Sequence, residues 1–121
     1  MILLLVACAS SLLGEWNGDC TFSDQGRDLL MSVTTQVDRD NGYLLEGSLT
    51  LETWEQDVFD GDMIGDHNGK YVMFRTDVET EHGSYQFRLQ TEKVGQSLEG
   101  QCVVQAPDSV GALTGQVYLQ R

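Results

Sequence analysis

Hydrophobic and polar residues alternate along most of this chain, and a glycine recurs at a fixed place within the alternation. In this motif, one apolar residue stands two positions before the glycine and another stands two positions after it. The motif occurs at residues 16–20, 45–49, 59–63, 98–102 and 113–117. A period of two is typical of a β-strand with one buried face. A glycine on the buried face removes side-chain bulk and lets the strand coil sharply, as a narrow barrel requires.

Three further stretches, at residues 29–37, 72–78 and 85–91, alternate without the glycine and bring the predicted strands to eight. Turn signals lie between the stretches, at Asp40-Asn41-Gly42, Asn68-Gly69, His82-Gly83, Gly95 and Pro107-Asp108. Eight sequential strands joined by short hairpins can close on themselves, which removes the exposed sheet edges. We therefore predict an all-β fold, an eight-stranded antiparallel up-and-down barrel, with a β-sandwich as the alternative.

Length and charge narrow the class of partner. The 121 residues suffice for one domain, and 19 acidic residues against 7 basic ones give a formal net charge of −12. This charge repels phosphate backbones, so we expect no nucleic-acid partner. It also disfavours direct docking on anionic lipid head groups. The acidity serves solubility or, alternatively, attracts a cationic ligand.

The first eight residues resemble the lipobox of bacterial lipoproteins. Leu5-Val6-Ala7-Cys8 places aliphatic residues and a small residue before the cysteine that carries the lipid in such proteins. The resemblance implies that residues 1–7 are a remnant of a signal peptide, that residues 8–13 are a lipid-anchored tether, and that residues 14–121 form the barrel domain. It also implies an extracytoplasmic location, as an outer-membrane lipoprotein or in the periplasm. The apolar segment is shorter than in such signal peptides and no Lys or Arg precedes it, which a start upstream of Met1 would explain. A buried apolar N-terminal strand is the alternative.

Two cysteines remain when Cys8 is set aside. An even number of cysteines in an exported chain indicates a disulfide, so we expect Cys20 and Cys102 to pair. The alternative is two buried free thiols in a reducing compartment.

Gly14-Glu15-Trp16, at the start of the first predicted strand, and Arg121, at the end of the last, resemble the pattern of the calycin superfamily, which includes lipocalins and avidins. The resemblance implies a barrel plug in which the guanidinium of Arg121 stacks on the indole of Trp16. The same outline motivates the expectation of a small apolar ligand but does not identify it. Small exported inhibitors of metalloproteases are similar in outline, with a short barrel, an early tryptophan and one disulfide.

Catalytic and metal-binding patterns are weak in this chain. Asp57, Asp60, Asp62 and Asp66 cluster, but strand parity directs Asp60 and Asp62 to solvent and the spacing does not match a calcium loop. His67 and His82 each stand beside a turn glycine, and we expect both to be exposed turn residues. We therefore expect no enzyme, no metal and no cofactor.

The functional expectation is a lipid-anchored barrel that binds a small apolar ligand in its interior or at its mouth. Trp54, in the longest connection, is expected to lie on the rim, and the other candidate ligand-facing residues are Phe22, Phe59, Met63, Phe74 and Phe87. The alternative is a non-enzymatic protein-interaction lipoprotein whose barrel is filled by side chains, with protease inhibition among its potential roles. The protein partner is then unknown.

Overall fold

A closed barrel of eight antiparallel strands accounts for most of the chain. The computed structural model describes residues 11–81, 83–107 and 111–121. Its strands are β1 (Gly14–Asp24), β2 (Arg27–Asp40), β3 (Leu44–Glu52), β4 (Val58–Asn68), β5 (Tyr71–Thr80), β6 (Gly83–Val94), β7 (Ser97–Gln105) and β8 (Leu113–Gln120). Each strand pairs with the next in sequence, and β8 pairs with β1. The predicted up-and-down barrel is confirmed, and the sandwich alternative is wrong.

Side chains of one parity fill the inside of the barrel. In β2, the predicted inward positions from Leu29 to Val37 are all buried, and in β5 the same holds from Val72 to Val78. The apolar side chains from all eight strands form one hydrophobic cluster. An eight-stranded barrel has an interior just wide enough for side chains to fill, and this one is filled in that way.

Four of the five recurring glycines lie where the backbone of a neighbouring strand leaves no room for a Cβ atom. A Cβ atom added at Gly18 would lie 1.8 Å from the carbonyl oxygen of Tyr118, and one added at Gly100 would lie 2.0 Å from that of Gln90. No side chain fits at such a separation. The absent side chains therefore allow the neighbouring strands to approach and the sheet to coil into a narrow barrel.

A disulfide joins Cys20 to Cys102, as predicted. The two residues lie on β1 and β7, which are not neighbours, because β8 pairs between them. The bond therefore spans the strand that completes the barrel. Its closed loop of 82 residues corresponds to about 4 kcal/mol of stabilisation in the chain-entropy description.

Gly100→Ala is expected to lower the free energy of unfolding by about 1–3 kcal/mol, because the added methyl group collides with a strand backbone that cannot move aside without distorting the barrel. Gly111→Ala is the matched control, since a Cβ there meets no atom within 4 Å. Urea unfolding followed by tryptophan fluorescence measures both. Equal stabilities of the two variants would show that the close approach at Gly100 is not a constraint on the fold.

Candidate functional site

The two ends of the barrel differ in how they are covered. Because the strands run up and down, the turns after β2, β4 and β6 share one end with the lead-in at residues 11–13 and with Arg121. We call this the closed end. The connections after β1, β3, β5 and β7 share the opposite end, which we call the mouth.

The closed end is covered by Trp16 and by the segment before β1. The guanidinium of Arg121 lies over the Trp16 ring, 4.4 Å from its centroid. The same guanidinium donates hydrogen bonds to the carbonyl oxygens of Leu13, at 3.0 Å, and of Ser11. The indole N–H of Trp16 donates to the carbonyl of Leu12 at 2.9 Å. Trp16 and Leu12 are fully buried, so this end admits no ligand to the interior along their side.

The carboxylate of Asp40 holds the lead-in against the barrel. Asp40 accepts hydrogen bonds from the backbone N–H groups of Leu12 and Gly42, at 3.2 and 2.9 Å. It also contacts His67 Nε2 at 2.7 Å. The expectation that His67 is an exposed turn residue is wrong, because His67 is the next-to-last residue of β4 and its side chain is only 11% exposed. His82 lies outside the described residues.

These partners set the pKa of Asp40. Burial raises it, but the hydrogen bonds from Gly42, His67 and Leu12, together with the charge of His67, outweigh the burial. The net pKa of Asp40 therefore lies below its ordinary value of 3.8. The ionised carboxylate is the form that the folded barrel stabilises.

At the mouth, a compact loop places Trp54 over the open end of the barrel. Residues 53–57 join β3 to β4, and the Thr53 hydroxyl accepts from the N–H groups of Glu55 and Asp57. Backbone bonds between residues 53, 56 and 57 close the loop further. The Trp54 ring packs edge-on against buried Phe22, with centroids 5.9 Å apart, yet remains 42% exposed. Trp54 is thus a fixed, half-open side chain on the rim.

Beside Trp54, the mouth contains an apolar recess of about 150 Å³. Three aromatic rings form one wall of it: Phe59 lies 5.3 Å from Tyr85 and 6.2 Å from Phe87, and Tyr85 stacks on Phe87 at 6.3 Å. Met31 and Val104 complete the apolar lining. β2, β4, β6 and β7 each contribute inward-facing residues, so the recess is the uppermost layer of the core left without a cover.

Carboxylates surround the recess. Glu55 and Asp57 line it directly, and both are exposed. The strand ends and turns around the mouth carry further acidic residues in the described ranges: Asp24, Asp28, Glu52, Glu79 and Glu81. Arg27 is the single cation among the same strand ends and turns. A low-polarity recess inside a negative rim favours an apolar group attached to a positive charge.

The candidate residues from the sequence separate into two groups. Trp54, Phe59 and Phe87 line the recess, and Phe22 supports Trp54 from below. Met63 and Phe74 are fully buried deeper in the barrel and do not line it. Tyr85 also lines the recess. The alternation at residues 85–91 predicts that it faces inward, and its place near the start of β6 puts it at the mouth.

No other chemical site stands out among the described residues. Asp60 and Asp62 point to solvent, as expected from strand parity. Across residues 11–81, 83–107 and 111–121, no group of three His, Cys, Asp or Glu side chains converges to hold a metal ion. The polar side chains buried in these ranges are Thr35, Thr76, Thr91 and Ser97.

Comparison of the chain with protein families, with curated proteins and with solved structures found no match. The barrel is compatible with the calycin outline predicted from Gly14, Trp16 and Arg121. Cys8 and the lipobox-like residues lie outside the described part of the chain. Within that part, no helix has the length and apolar character needed to cross a bilayer.

The pKa of Asp40 generates a prediction for acid stability. Because the folded-state pKa is lowered, the ionised carboxylate stabilises the fold at pH values above about 4, and this contribution is lost as the pH falls through the folded pKa. Asp40→Asn is expected to be less stable at neutral pH and to lose less stability on acidification. Urea unfolding at a series of pH values measures this.

Asp38→Asn is the matched control for that series, since Asp38 is exposed two residues away. It should retain the full acid dependence of the parent chain. An unchanged acid dependence in Asp40→Asn would mean that the contacts of Asp40 do not stabilise the closed end.

Proposed function

We propose that this chain is an exported, lipid-anchored, non-enzymatic binding protein whose mouth receives one apolar side chain of a protein partner. The observation that carries the proposal is the aromatic recess with Trp54 on its rim, at the open end of an otherwise filled barrel. Its walls are preformed by packed strands, so a partner would meet little cost of ordering the site.

The size of the recess favours a single side chain over a larger ligand. Small-molecule pockets usually measure about 300–1,000 Å³. The recess measures about 150 Å³, and the barrel interior beneath it is occupied by packed side chains in the described residues. One aliphatic or aromatic side chain fits such a space, whereas the larger ligand of a hollow barrel does not.

The rim has the composition of a protein-binding hot spot. Trp54 offers a large, half-buried ring with few rotatable bonds, and tryptophan is enriched among the residues that dominate interface energies. The carboxylates of Glu55 and Asp57 beside it favour a partner with basic residues next to the inserted side chain. An acidic rim also raises the association rate of such a partner at low salt.

The proposed anchoring agrees with the position of the mouth. The lead-in at Ser11 joins the barrel at the closed end, so a lipid on Cys8 would hold the mouth on the far side. Tilted strands of 9–11 residues give a barrel roughly 20–30 Å long. The mouth would then face away from the membrane, where a periplasmic or surface partner can reach it.

A small apolar ligand is the second candidate function, and the apolar lining formed by Phe59, Tyr85 and Phe87 favours it. Its size would be limited to about one ring. Native mass spectrometry of the protein purified from its own membrane tests this proposal, because a retained small molecule adds a defined mass. If the added mass is found with Trp54→Ala but not with Phe59→Ala, the ligand binds in the recess and does not need Trp54 on the rim.

Trp54→Ala is expected to abolish capture of the partner, since removing a hot-spot tryptophan weakens binding by more than about tenfold. The immobilised full chain and its variants are incubated with envelope extract at low salt, and the retained proteins are compared. Ile64→Ala is the matched control, because Ile64 is similarly exposed (49% against 42%) but lies on the outer wall of the barrel.

The proposal predicts that the parent chain and Ile64→Ala retain the same protein and that Trp54→Ala does not. Retention should also fall at high salt, as expected for an acidic rim. A partner that Trp54→Ala retains as well as the parent would contradict the assignment of the mouth. Failure of the parent chain to retain any protein at low or high salt would contradict the protein-binding proposal itself.

A further inference from the structure

We infer that the closed end of the barrel is a docking surface for a phospholipid membrane, so that the domain lies on the bilayer in one orientation. The inference goes beyond the proposed partner binding at the mouth and rests on the proposed anchoring through Cys8. Its basis is the distribution of exposed apolar residues, tyrosines and charges along the barrel axis.

The exposed tyrosines are all at the closed end. Of the four tyrosines in the chain, Tyr43, Tyr71 and Tyr118 are 58%, 61% and 46% exposed. Tyr43 follows β2, Tyr71 begins β5, and Tyr118 lies two residues before the end of β8, so all three are in the half of the barrel next to the closed end. The fourth, Tyr85, lies in the mouth recess. Tyrosine is favoured at membrane interfaces because its ring prefers the apolar side and its hydroxyl the hydrated side.

Aliphatic residues complete this rim. Leu13, Leu44 and Val94 are each about half exposed, beside the lead-in, the start of β3 and the end of β6. Every connection at the closed end therefore contributes at least one exposed large hydrophobic residue. We call this set the closed-end ring: Leu13, Tyr43, Leu44, Tyr71, Val94 and Tyr118. Burial of such side chains at the head-group boundary stabilises a peripheral protein on a bilayer.

Basic residues are also concentrated at the closed end. Four of the seven basic residues flank the closed end, namely Arg39, Lys70, Lys93 and Arg121. In the turns and the last two residues of each strand, the closed end has two carboxylates, Glu15 and Asp40, against these four basic residues. One position further into the strands, Glu46 is paired with Arg39 and Glu92 with Lys70. The same turn and strand-end positions at the mouth have seven described carboxylates and one arginine.

This asymmetry explains how a domain with a net charge of −12 can rest on a membrane. An anionic leaflet attracts lysine and arginine near its surface and repels carboxylates. With the mouth outward, the carboxylates of the mouth lie beyond the Debye length of about 8–10 Å at physiological salt. With the mouth inward, the same carboxylates would meet the head groups. The field therefore selects the orientation in which the closed end faces the lipid.

The position of the lead-in identifies the membrane as the occupant of this surface. Ser11 accepts a hydrogen bond from Arg121 at the closed end and lies three positions after Cys8. Three residues span at most about 10 Å. A lipid on Cys8 would therefore bring the closed-end ring to the bilayer.

The test uses the full chain coupled to a membrane independently of cellular lipidation. Because Cys20 and Cys102 are paired, Cys8 is the remaining thiol and can react with a maleimide-bearing phospholipid in nanodiscs of phosphatidylethanolamine and phosphatidylglycerol. A gadolinium-chelating lipid in the same nanodiscs broadens nearby amide signals in NMR spectra. We expect broadening at the turn glycines of the closed end, Gly42, Gly69 and Gly95, and none at Gly26 in the mouth. Equal broadening at both ends would overturn the inference.

Matched double variants separate docking from the tether alone. Tyr71→Ser with Val94→Ser removes part of the closed-end ring, whereas Leu30→Ser with Val58→Ser removes similarly exposed residues near the mouth. We expect the first pair to reduce the broadening at Gly69 and Gly95 several-fold, and the second pair to leave it unchanged. Unchanged broadening in the first pair would mean that the tether explains the orientation, which overturns the docking surface.

The anchoring itself is tested separately, by the intact mass of the chain exported from bacteria and of its Cys8→Ser variant. A missing lipid on the parent chain would contradict the anchoring and, with it, the cellular setting of the docking surface. An acylated parent chain together with an unoriented coupled chain would instead overturn the docking surface and leave the anchoring intact.

Discussion

The close approach of neighbouring strand backbones inside a narrow barrel is the constraint on which the rest of this structure depends. At Gly18 and Gly100, a backbone carbonyl oxygen of the adjacent strand occupies the space that a Cβ atom would need. Only glycine is compatible with such a position. The remaining inward positions are then few and must be filled by large apolar side chains, which leaves a solid core.

Because the core is solid, the candidate binding surfaces lie at the two ends of the barrel. At the closed end, Trp16 and Arg121 cover the core, and Asp40 and His67 hold the lead-in in place. At the mouth, the top layer of aromatic rings is left partly open beneath Trp54. The ends also differ in charge and in exposed tyrosines. A partner at the mouth and a membrane at the closed end are therefore compatible with one another, because neither surface obstructs the other.

Much of this architecture could be predicted from the sequence because parity alone determines which residues face inward. The eight strands, the inward glycines and the Cys20–Cys102 pair all follow from spacing and count. Contacts between segments far apart in sequence could not be predicted in that way. The turn glycine beside His67 suggested exposure, but Asp40, 27 residues earlier, binds its ring. Gly65 was likewise missed, because the residue two positions on is His67 and not an apolar one, although a Cβ there would lie 2.2 Å from the Met73 carbonyl. The recess depends on four strands and a loop, and no local pattern reports its volume.

The most direct test of a filled barrel with an open recess at its mouth is a xenon titration followed by methyl NMR, because xenon enters apolar cavities without requiring a matched ligand. The account predicts that shifts are confined to methyl groups around the recess, such as those of Met31 and Val104. Methyl groups deeper in the barrel, such as those of Val33 and Leu49, should not respond. Saturable shifts at Val33 or Leu49 would reveal a cavity within the core and would contradict the account.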